Sequence, residues 1–145
     1  MTERRVAQFA TMRIPEARRD VAPDGSDVRV LLGLRQGTMA LFELPPGQTS
    51  IAVSHGTVEE IWLFLEGRGE MWRRQEGREE TVPVEAGVCV TIPRGTHFQF
   101  RALGDATLSA VGVTMPPWPG EAEAATVEGK WPSTFPCPGG APVVN

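Results

Sequence analysis

Gly47-Gln-Thr-Ser-Ile-Ala-Val53-Ser-His55-Gly-Thr-Val-Glu-Glu60-Ile-Trp-Leu-Phe-Leu-Glu-Gly67 is the stretch whose reading decides the fold. It opens on the turn dipeptide Pro46-Gly47 and closes on Glu66-Gly67-Arg-Gly69, so turn chemistry bounds it at both ends. Between them lie two short β-branched or apolar runs, Ile51–Val53 and Ile61–Leu65, parted by Gly56. Neither run is long enough for a helix, and both alternate as strands do.

The same grammar extends in both directions. Further runs read as strands at Val28–Leu34, Thr38–Leu44, Glu70–Arg73, Thr81–Val84, Val88–Ile92, Phe98–Arg101 and Leu108–Thr114. Glycine-bearing turns such as Arg35-Gln-Gly37, Glu76-Gly77 and Pro93-Arg-Gly95 separate them. Nine short strands of this kind predict an all-β chain, folded as a double-sheet jelly roll or barrel. Residues 1–27 read as an irregular N-terminal segment with at most one helical turn around Glu16–Asp20, packed on a barrel of residues 28–114. From 115 to 145 the chain becomes rich in proline and glycine. Trp118, Trp131 and Phe135 in this tail are costly to leave in water, which predicts that it lies against the barrel or a neighbouring subunit.

Composition narrows the function classes. A chain of 145 residues with net charge −4 is one domain, and it has no basic run to follow a nucleic acid. Early arginines (Arg4, Arg5, Arg13, Arg18, Arg19) are followed by no apolar stretch, so neither a secretory signal nor a membrane span is expected. Two cysteines, Cys89 and Cys137, make no disulfide framework, and a reduced, cytoplasmic protein is the expectation. Cys89 reads as a small buried hydrophobe.

Both histidines fall in glycine-bounded segments: His55 in the stretch above, and His97 in Gly87-Val-Cys-Val-Thr-Ile-Pro93-Arg-Gly95-Thr-His97-Phe-Gln-Phe100. Together these segments resemble the paired motifs of the cupin superfamily. The resemblance covers roughly residues 28–114 and implies a double-stranded β-helix, the cupin jelly-roll barrel. It also implies a site inside the barrel that takes a small-molecule ligand, and a homodimer.

In metal-binding cupins the first motif carries two histidines two residues apart and then a glutamate; the second carries one more histidine. Here Val53 holds the first histidine position, His55 the second, and Glu60 the carboxylate position. The second motif is one residue short, so Phe98 stands where the ligand usually falls and His97 precedes it. If a tightened turn swings His97 inward, the resemblance implies a metal site of His55, Glu60 and His97. That set suits a divalent transition metal such as Fe, Mn, Ni, Zn or Cu with open positions. If not, Phe98 and Phe100 fill the barrel and the chain is metal-free.

Glu60, Trp62 and Phe64 share one strand face by parity. With Glu60 inward they predict an aromatic-walled pocket of Val53, Trp62, Phe64, Phe98 and Phe100. Three functions stay open: a metal-dependent oxygenase, isomerase or lyase; a metal-free binding or sensing module; and a metal-free isomerase or lyase in which His55 and Glu60 are the catalytic acid–base pair.

Overall fold

A computed structural model describes residues 6–136. The chain forms two antiparallel sheets from eleven strands among these residues. They are β1 (Arg18–Val21), β2 (Asp27–Leu34), β3 (Gly37–Leu44), β4 (Val53–His55), β5 (Glu59–Glu66), β6 (Arg68–Gln75), β7 (Arg78–Glu85), β8 (Cys89–Ile92), β9 (His97–Leu103), β10 (Leu108–Met115) and β11 (Ala124–Thr126). One sheet runs in the order β1-β2-β3-β10-β5-β8 and the other β11-β4-β9-β6-β7.

Alternation along the strands places the core between the sheets. On β5, Glu60, Trp62 and Phe64 are buried while Glu59, Ile61 and Leu63 are exposed. From the facing sheet Phe98 and Phe100 of β9 meet them, and Trp62 lies edge-on to both rings. Each of these aromatic side chains contributes about 2–3 kcal/mol by burial. Gly112 on β10 is paired with Trp62, and a Cβ there would stand 2.7 Å from the indole ring. The missing side chain therefore makes room for Trp62 to stack on Phe42, with ring centroids 4.6 Å apart.

Two strands depart from the sequence reading. The N-terminal segment, expected to be irregular, has a 3-10 turn at Ile14–Glu16 and then β1, which pairs with β2 along its whole length. All four residues of β1 are exposed, so no apolar alternation marks it; it is a charged edge strand. The other is β11, which pairs with β4 and crosses from the tail. Beyond β11 the described part of the tail, residues 127–136, lies along the outer face of the five-stranded sheet, with Val127 N–H donating to the Ala52 carbonyl and Thr134 N–H to that of Thr49. Gln99 is the anchor: its side chain receives the Lys130 and Trp131 N–H groups and donates to the Ser50 and Trp131 carbonyls. Trp131 lies under the Arg101 guanidinium, 4.3 Å from ring centroid to Cζ. Trp72, in register with Gln99, is buried on β6. Cys89 is exposed on the edge strand β8 and is not the buried hydrophobe expected; Cys137 lies outside the described residues. No helix among the described residues is long and apolar enough to cross a membrane.

Candidate functional site

The strand ends put the chemistry at one end of the barrel. His55 is the last residue of β4, and the Gly95 N–H of the second motif donates to its carbonyl at 2.9 Å, tying the two motifs together. Glu123 fixes the turn that follows, accepting from Thr57 N–H and Oγ1 and from Val58 N–H. Desolvation is the largest single effect on Glu123, but these hydrogen bonds together, with His55 adding to them, outweigh it and hold its carboxyl below the ordinary carboxylate value. With its exit fixed, β4 presents His55 to Glu60 of β5.

His55 and Glu60 are 6% and 3% exposed, and His55 Nδ1 stands 2.9 Å from Glu60 Oε2. The contact is close but not aligned as a hydrogen bond, so Nδ1 is a buried nitrogen held by proximity to the carboxylate. The other carboxylate oxygen is fully engaged: Trp62 Nε1 donates to Oε1 at 3.1 Å and Thr114 Oγ1 at 3.2 Å. Glu60 is therefore locked in place, and the imidazole sits edge-on between Phe98 and Trp118.

These groups line a cavity of about 230 Å³. Its walls are largely aromatic and aliphatic, with Phe42, Val53, Trp62, Phe98 and Trp118 beside His55 and Glu60. That volume suits a ligand of one ring rather than a long chain, since cavities of about 150 Å³ already hold benzene.

Several expected site residues are elsewhere. Phe64 and Phe100 have the inward parity of Trp62 and Phe98 but do not line the cavity. They pack one step deeper, in the hydrophobic core. His97 is not part of the site either. It directly precedes the inward Phe98 on β9, so alternation turns it to the other face, in register with Arg74. Its Nδ1 is buried there without a hydrogen-bond partner among the described residues.

The metal set of the resemblance consequently does not fit. Among the described residues no three His, Cys, Asp or Glu side chains are grouped to hold an ion. Val53 and Phe98, paired across β4 and β9, occupy the remaining ligand positions with apolar side chains. Two donors, His55 and Glu60, are left.

The structure adds a group that sequence reasoning missed. Asp24, in the turn between β1 and β2, is 4% exposed and lines the same cavity. Desolvation by burial pushes its carboxyl above the ordinary aspartate value of 3.8, against hydrogen bonds from the Ser26 hydroxyl and N–H; Glu60 pushes it up further and His55 opposes. Pro23-Asp24-Gly25 signals a turn, but nothing in the sequence says that the turn faces inward.

Fold and motif together define a class. Residues 40–114 match the Cupin_2 family, a cupin domain, and the chain belongs to that family. It is 32% identical over 104 residues to an uncharacterized protein of Methanocaldococcus jannaschii, covering 68% of this chain and 79% of the relative. Among solved structures it resembles a predicted oxalate decarboxylase of Thermotoga maritima, with a TM-score of 0.61 and 22% identity over 74% of this chain and 99% of that one. It also resembles Pac13 of Streptomyces, described as a nucleoside dehydratase, with a TM-score of 0.65 and 16% identity over 83% of this chain and 92% of that one. At these identities the solved structures establish the jelly-roll fold.

Proposed function

We propose that this cupin binds a small single-ring organic molecule in the cavity and that His55, backed by Glu60, exchanges a proton with it. The observation that carries this reading is the 2.9 Å contact of His55 Nδ1 with Glu60 Oε2 at the wall of an aromatic cavity. A carboxylate beside Nδ1 favours the tautomer protonated there and leaves Nε2 as the basic nitrogen for a ligand. When Nε2 takes a proton, Glu60 stabilises the imidazolium that forms. Phe42, Trp62, Phe98 and Trp118 supply the apolar contact that holds a ring and excludes water. The names of the two similar solved proteins, a predicted oxalate decarboxylase and a nucleoside dehydratase, belong to enzymes of small polar molecules, in keeping with a ligand of this size.

The donor set favours the metal-free acid–base reading over the metal-dependent one, because Val53 and Phe98 offer no ligand atom and His97 is on the other face. A one-ring fragment screen followed by NMR tests the proposal. Binding should shift the His55 ring resonances, fall by about tenfold or more in Ala40→Phe, which fills the cavity, and persist in His97→Ala. Binding that survives both Ala40→Phe and His55→Ala would place the ligand elsewhere and refute the proposal.

A further inference from the structure

The cavity holds a third buried titratable group that the His55–Glu60 pair does not use. Asp24 reaches it from the β1–β2 turn, on a different part of the chain from both. The turn is built to hold that side chain still. Ala22 N–H donates to the Ser26 carbonyl and Gly25 N–H to the Ala22 carbonyl, while Ile51 N–H donates to the Asp24 carbonyl at 2.8 Å. Gly25 has φ +93°, and the Phe135 ring of the tail packs so closely on it that a Cβ there would stand 2.6 Å away. Both hydrogen bonds to the carboxyl come from Ser26 and fall on Oδ1, at 2.9 Å from N–H and 2.6 Å from the hydroxyl. Among the described residues no hydrogen bond falls on Oδ2, and the side chain lines the cavity.

We propose that Asp24 is the proton donor of this site, a neutral carboxylic acid that offers Oδ2–H to the carbonyl oxygen of a ligand, and that neutral carbonyl compounds are the ligand class. The proposal rests on the reading of His55 as the base. The step balances without any co-reactant. A C–H bond next to the ligand carbonyl breaks as its proton passes to His55 Nε2; the electron pair forms C=C, and the carbonyl oxygen takes the proton of Asp24. The product is a neutral enol beside an imidazolium, with Asp24 left as a carboxylate. Return of the His55 proton to the same carbon regenerates the ligand; where the enol is conjugated, its delivery to a different carbon, with the O–H proton going back to Asp24, completes an isomerisation. Asp24 is faced by Glu60 and His55, and Arg18 and Asp20 of β1 line the same cavity. Burial, and to a lesser extent the like charge of Glu60, raise the carboxyl of Asp24 against the Ser26 hydrogen bonds and His55, so it holds its proton to higher pH than a free aspartate does.

Three probes of equal ring size and different charge test the class at neutral pH: acetophenone, benzoate and benzylamine, titrated into the full chain labelled with carboxyl-¹³C aspartate. The resonance of Asp24, assigned by its loss in Asp24→Asn, should be that of the protonated acid and should move with acetophenone. Acetophenone should bind about tenfold or more tightly than the other two, and Asp24→Ala should abolish that preference. A carboxylate resonance for Asp24, tightest binding of benzylamine, or no binding by any of the three overturns the proposal. If either Asp24 variant fails to fold, the ranking of probes by the unaltered chain decides alone. Other fragments that still occupy the cavity and shift His55 would leave the His55–Glu60 reading standing while this one falls.

Discussion

Replacing Glu60 tests whether its carboxylate organises the site. Its two oxygens face three buried groups: Trp62 Nε1 at 3.1 Å, Thr114 Oγ1 at 3.2 Å and His55 Nδ1 at 2.9 Å. Glu60→Ala strips all three of their partner, and each abandoned buried polar group costs about 1–3 kcal/mol. Against that stands relief from burying a charge, which offsets part of the loss. The net expectation is a destabilisation of about 3–5 kcal/mol, the range seen when one side of a buried pair is removed. Glu60→Gln keeps an oxygen for Trp62 and Thr114 and gives up only the charge beside His55, so it should cost about 1–2 kcal/mol. Urea unfolding followed by tryptophan fluorescence measures both, because Trp62 is buried and stacked on Phe42 and changes environment on unfolding. In a cycle with His55→Ala, the Gln substitution should lose most of its cost once the imidazole is gone. An Ala variant within about 1 kcal/mol of the parent, or a Gln variant as damaged as the Ala one, would refute the reasoning.

Gly112→Ala should destabilise by about 1–3 kcal/mol and change the tryptophan emission, because its Cβ would meet the Trp62 indole at 2.7 Å and force it off Phe42; unchanged emission and stability would show that the strand yields instead. Asp24 has a pH signature of definite sign. Its folded value is raised, so the folded state binds the extra proton above 3.8, and stability from this group is full below that pH and lost as pH rises toward the folded value. Asp24→Asn removes this slope, which for one proton is at most about 1.4 kcal/mol per pH unit, so the variant should gain on the parent as pH rises above 3.8; a constant difference between the two curves would contradict it.

The strands were legible because burial on one face writes itself into alternation, as Glu60-Ile-Trp-Leu-Phe shows on β5. The strands that escaped, β1 and β11, have no buried face of that kind: one is four exposed residues, and the other is three residues in a proline- and glycine-rich tail. Both are held by pairing with a neighbour, a property of the neighbour's backbone rather than of their own sequence. In the site, parity separates inward from outward but says nothing about height along the barrel. Phe64 and Phe100 accordingly have the right face and the wrong depth. His97 follows the same rule from the other side: beside an inward Phe98 it must face out. Trp118 was legible as a side chain to be buried but not as part of the site, and Asp24 was not legible at all, since both come from outside the motifs and reach the cavity through turns whose direction only the folded chain sets.

The stretch that matches the cupin family ends at residue 114 and begins at 40, yet much of the cavity wall comes from flanking chain: Arg18 and Asp24 before it, Trp118 after it. The strand that clasps β4 behind His55, and the Phe135 ring that pins Gly25, also lie beyond that boundary. A relative that shares only the matched barrel would not share this chamber wall. Any fragment trimmed to the matching residues would retain the imidazole and its carboxylate but lose much of the chamber around them.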